Sequence, residues 1–260
     1  MKIAFYSLAL SVCVILPIRA DLTIVYSTTV QPASQGQKVQ TTPNAIAAAT
    51  NMTIKVKGDR ARIDASSQIS VIFDGRTGEL INLLNDQKTV VRISPEKMRA
   101  MADMLNKFNS KQAGFEKPRL TPTGQRETTN GYDTEQYTYD GPDFKATYWI
   151  APNYPNGAAV LTQLQSIKSE FWDAANTKMP DFRDFPGLPI RMRMIVATEN
   201  LAGGHGADAS GHPTEIISTI TGVGLDSIAD NQFTVPADFK ETKLPDIFNK
   251  NTAPAVSPGR

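Results

Sequence analysis

Few residues in this chain have types and spacings suited to chemistry. His205 and His212 are its only histidines, and they share one glycine-rich loop with Asp208. A His–Asp–His set is a metal donor set in principle. Nothing in the loop preorganises it, and no outer hydrogen-bonding partner is evident. The plainer reading is an exposed connection from Asn200 to Pro213. Ser94-Pro95-Glu96-Lys97 matches the S-x-x-K pattern of serine acyl enzymes, but the partner motifs S-D-N and K-T-G are missing. A helix cap accounts for Ser94 completely. There is no G-x-S-x-G elbow, no H-E-x-x-H and no P-loop. No catalytic residue is assigned and no cofactor is expected. A carboxylate-dependent hydrolase stays as a third reading, without any acid pair marked by spacing.

The methionines say more. Met98, Met101 and Met104 recur at helical spacing with Leu105 and Phe108, within an arc of roughly 120°. Met192 and Met194 alternate on one face of a predicted strand with Ile190 and Val196. Thioethers are soft and adapt to irregular shapes, so they serve both core filling and adaptable apolar surfaces. Core filling is the ordinary reading. The sharper one is a cleft lined by Met98, Met101, Met104, Leu105, Phe108, Leu161, Leu164, Phe171, Trp172, Met192 and Met194. An acyl chain buried there gains about 0.8 kcal/mol per methylene.

Two predicted helices carry part of this set. The first starts at the Ser94 cap with Pro95 at its first position, where a missing N–H costs nothing, and runs to about Asn109. The second runs from Ala158 to about Lys178. Val160, Leu161, Leu164, Ile167, Phe171, Trp172 and Ala175 share its apolar face, and Gln163 falls on the polar one. The rest reads as strands of period two. Met52–Val56 and Ala61–Ala65 flank a Gly58-Asp59 turn. Ile69–Phe73, Glu79–Asn85, Lys88–Ile93, Gly131–Tyr139, Phe144–Ile150, Leu188–Ala197 and Thr214–Val223 follow, each with one apolar and one polar face. Gln31–Thr50 reads as a loop. A 249–260 segment with two prolines reads as a disordered tail.

Residues 1–20 begin with Lys2, continue through an apolar run from Ile3 to Leu16, and end at Pro17 and Arg19-Ala20. That is the layout of a signal peptide cleaved between Ala20 and Asp21. It implies a periplasmic or secreted protein. The run is too short to span a bilayer, so the mature chain is expected not to cross a membrane. Cys13, the only cysteine, lies inside this leader, so the mature chain has no disulfide and no thiol chemistry. Val12 is not the small residue that a lipidation site needs before its cysteine. Without Lys2 and Arg19, 25 basic residues face 26 acidic ones. Such a balance has no field to attract nucleic acid. The remaining length, residues 21–248, fits a single domain able to bury a core.

Several short motifs then acquire a common meaning. Gly58-Asp59-Arg60-Ala61-Arg62-Ile63-Asp64 is followed by Thr123–Tyr132, Thr147-Tyr148-Trp149-Ile150-Ala151, Pro186–Met192 and Phe233–Lys240. In that order they resemble an exported bacterial family known as domain of unknown function 4412. Its members are similar to periplasmic lipoprotein carriers of the LolA/LolB type. The resemblance implies an α+β fold: a curved antiparallel half-barrel with two amphipathic helices on its concave face. It implies a non-enzymatic binder of lipid or lipoprotein acyl chains. The alternative is an envelope protein-interaction or sensor module whose cleft is simply core.

Overall fold

The computed structural model describes residues 21–32, 50–111, 119–141, 144–166, 180, 184–196 and 213–242. Twelve strands form one sheet: β1 (Leu22–Pro32), β2 (Thr50–Lys57), β3 (Arg60–Asp64), β4 (Ile69–Asp74), β5 (Glu79–Leu84), β6 (Thr89–Ile93), β7 (Thr121–Thr129), β8 (Tyr132–Asp140), β9 (Phe144–Ala151), β10 (Leu188–Val196), β11 (Thr214–Gly224) and β12 (Lys240–Glu241). Their spatial order is β12-β6-β5-β4-β3-β2-β1-β11-β10-β9-β8-β7. Neighbours are antiparallel except β12, which pairs in parallel with β6. The sheet is open, with β7 and β12 at its edges. The helices are α1 (Pro95–Lys111) and α2 (Gly157–Leu164). The α+β class is as expected.

The alternation read in the sequence becomes a cross-strand row. Leu22, Val56, Ala61, Phe73, Leu80 and Ile93 are successive partners from β1 to β6, and all six are buried. At one end, α2 sets Val160 and Leu161 over Leu22, Ile24 and Val56. At the other, α1 sets Met98 and Met101 over Phe73, Leu80 and Ile93. Both helices therefore lie on the same face of the sheet.

Helix α1 starts where the cap predicts. The Ser94 carbonyl accepts from Met98 N at 2.9 Å, and its hydroxyl accepts from Lys97 N at 3.4 Å. Helix α2 departs from expectation. It stops at Leu164, where Gln165 and Ser166 form a turn. The Ser166 hydroxyl donates to Gln163 O at 2.7 Å and reaches Gly58 O at 3.4 Å, which turns the chain towards the β2–β3 hairpin. Residues 167–178 of the predicted helix lie outside the described ones. Gln163 is buried rather than on an open polar face. At 100° per residue it sits about 60° from Val160, so a buried arc from Leu161 through Val160 reaches it.

The one-apolar, one-polar pattern also fails for β4–β6. There Ile72, Ile81, Leu83 and Val90 bury the second face under Ile228 and Phe233 of the C-terminal segment, with Val235 and Phe239 packed alongside. Strands buried on both faces read as near-continuous apolar runs, as ISVIFD and ELINLL do.

The same segment is held across β2 and β3 by polar contacts. Lys55 Nζ donates to Gln232 Oε1 (2.8 Å), Lys57 Nζ to Ile228 O (2.5 Å) and Arg62 Nη1 to Gln232 O (3.0 Å). Arg60 pairs with Asp230 at 2.6 Å and lies 5.1 Å from the Phe233 ring centroid. Asp21 accepts the Ile228 N–H at 2.7 Å. Two motifs noted in the sequence, Gly58–Asp64 and Phe233–Lys240, thus meet as hairpin and strap.

Candidate functional site

Strand β1 pairs with β11 through an irregularity. Val25 faces Gly222 and Tyr26 faces Ile220, so Thr221 has no cross-strand partner. Such a bulge bends its strand and re-aims the groups beside it. The β7–β8 hairpin closes against it. Asn130 and Gly131 make the turn at φ 52° and 81°, conformations that asparagine and glycine tolerate. Asn130 Nδ2 then donates to Ile220 O at 2.9 Å. On the third side, Tyr154 precedes α2 and packs on Tyr132 with ring centroids 4.6 Å apart. Gly187 allows β10 to start here. A Cβ on it would come within 2.5 Å of Ala151 O.

Together these elements leave a half-open pocket of about 390 Å³. Ile190 and Ile220 supply apolar lining, and both belong to the cluster beneath α2. The two tyrosine rings, Asn130 and Thr221 add hydrogen-bonding groups, and Gly222 contributes backbone alone. No lining residue is charged. Of these residues, the sequence had placed only Ile190 on the face it read as lining a cleft.

The expected cleft residues occupy separate clusters. Met98 is buried beneath α1 with Phe73 and Leu80, and Met101 packs beside it. Met104 is 50% exposed, and Leu105 is half-buried. Leu161 and Leu164 join Leu22 and Ile24 under α2. Met192 packs against the cluster that contains Tyr139, Tyr148 and Phe185, and Met194 is half-buried on the same strand. The Phe108 side chain, Phe171 and Trp172 lie outside the described residues. So do Ala20 and the loop holding His205, Asp208 and His212. Among the described residues no cluster of three or more acidic, histidine or cysteine side chains could hold a metal. None of the described helices is long and apolar enough to cross a membrane. Ser94 serves as the cap of α1.

A family model described as a domain of unknown function, DUF4412, matches residues 38–239. The chain belongs to that family. No curated protein matches it. Two solved structures of PNGF-II, in space groups P21 and C2, are similar to this DUF4412 chain at 12% and 11% identity, each with a TM-score of 0.36. The matches cover 86% and 88% of this chain and 32% of each of those chains, so it spans about a third of their length. The family match begins after β1, yet β1 lies inside the sheet between β2 and β11.

The helix-bearing face of the DUF4412 chain is rich in tyrosine. Burial pushes the Tyr26 phenol up to about 12 and the Tyr148 phenol higher still, Tyr139 adding to the latter. Tyr154 is also raised, first by burial and then by its Tyr132 neighbour. A phenol whose folded value exceeds the ordinary value of 10 favours the fold in its neutral form. Its contribution is complete below pH 10 and is lost as pH rises through the folded value. Denaturant midpoints should therefore stay flat from neutral pH to about pH 10 and fall from there towards 12. Phenolate absorbance from these tyrosines should grow in above pH 10, together with that loss of stability. Phenolate absorbance that appears with no loss of stability would contradict this assignment.

Proposed function

We propose that this chain is an exported, non-enzymatic protein that binds an apolar ligand on the helix-bearing face of a LolA/LolB-like half-barrel. The observation that carries the reading is the pocket beside α2, about 390 Å³ with Ile190 and Ile220 in its lining. Ligand sites are typically concave and of about 300–1,000 Å³. Half-buried Met192 and Met194 on the same face add adaptable apolar surface. Export follows from the leader read in residues 1–20, and lipid or lipoprotein acyl chains are the ligand class.

Native mass spectrometry of the protein purified from its own envelope tests the reading, followed by uptake of a fluorescent acyl probe by the delipidated protein. The expected result is a co-purifying lipid mass and saturable uptake of one probe per chain. A folded protein that arrives empty and takes up no probe would sink the proposal.

A further inference from the structure

The pocket has an asymmetry that bears on which apolar ligand it takes, given the reading above that this face binds one. Ile190 and Ile220 form its apolar floor, 1% and 5% exposed. The β1–β11 bulge and the β7–β8 turn offer hydrogen bonds. Asn130 spends one amide N–H on Ile220 O, which fixes its side chain and leaves the second N–H and the carbonyl oxygen. Thr221 donates its hydroxyl proton to Val25 O at 3.3 Å and keeps its oxygen lone pairs as acceptors. Gly222 has no side chain to keep a ligand from its backbone. Tyr132 and Tyr154 line the pocket as well, their hydroxyls hydrogen-bonded to one another.

The lining holds no arginine, lysine or histidine to match an anion, and no carboxylate to match a cation. Transferring an ionised group into such a site is costly unless a partner meets it, whereas a neutral hydroxyl, ester or amide finds both donors and acceptors. We infer that the pocket selects an uncharged amphiphile, with its polar head at Asn130 and Thr221 over the Ile190–Ile220 floor. The ligand class is therefore a neutral acylated alcohol or amide rather than a free fatty acid.

The test titrates the delipidated full-length protein with a monoacylglycerol and with the fatty-acid anion of equal chain length, both against a bound fluorescent acyl probe. The monoacylglycerol should bind at least ten-fold more tightly. Asn130→Gly, which keeps the turn conformation, and Thr221→Val, which keeps the side-chain shape, should each reduce that preference several-fold. Equal or tighter binding of the anion, or a preference untouched by both substitutions, overturns the neutral-head assignment and leaves the apolar-ligand reading standing. Failure of every amphiphile and of the probe overturns both.

Discussion

Replacing Phe233 with alanine should cost about 3–5 kcal/mol, the usual range for deleting a buried aromatic ring. Phe233 is 6% exposed and packs with Ile228 on Ile72, Ile81, Leu83 and Val90. Its ring also lies under the Arg60 guanidinium. Chemical denaturation should register the full loss, and the melting temperature should fall by roughly 10 °C. The comparison variant is Asp230→Asn. Asp230 pairs with Arg60 and Lys57, but its side chain is 72% exposed, and exposed pairs contribute little. Its midpoint should barely move. Equal losses from the two substitutions would mean that ions, not the apolar cluster, hold the strap.

The second large effect is expected at Leu22. The residue is fully buried, starts the row that crosses β1 to β6, and lies under α2 with Val160 and Leu161. Leu22→Ala should cost about 2–5 kcal/mol. Because Val160 belongs to the same cluster, combining Leu22→Ala with Val160→Ala should be non-additive by about 0.5–3 kcal/mol. Leu22 and Phe233 share no cluster and lie on opposite faces, so that double variant should be additive within about 0.5 kcal/mol. A non-additive Leu22–Phe233 pair would show that the two faces are coupled through the sheet.

What could be read in the sequence depended on how local its cause was. Ser94-Pro95 announces α1 because a cap acts within one turn. Gly58-Asp59 announces the β2–β3 hairpin for the same reason. Strand β7 escaped notice because TPTGQRETT has no apolar period and is exposed throughout apart from Thr129. The Asn130-Gly131 pair was the available signal that a strand had to lie on each side. The second buried face of β4–β6 was hidden because its cover comes from residues 228–239, far along the chain. The pocket was hidden for a related reason. Its lining comes from one hairpin turn, one bulge and one pre-helical tyrosine, and no period links Asn130, Tyr154 and Thr221. The methionines were visible by type, but periodicity could not show that Met98 and Met192 serve different clusters.

The pairing of β1 with β11 has a consequence for how the molecule is made. Thr28 and Ser218, hydrogen-bonded across it, are 190 residues apart. Strand β1 can pair with β2 early, but its other edge has no partner until β11 arrives. Closing so long a loop is entropically costly, and sheets built from distant pairings fold slowly. A chain truncated before Thr214 carries an open β1 edge, the kind of surface that recruits other chains. Refolded C-terminal truncations of decreasing length should therefore resist protease in the β1–β2 region only while β11 is retained.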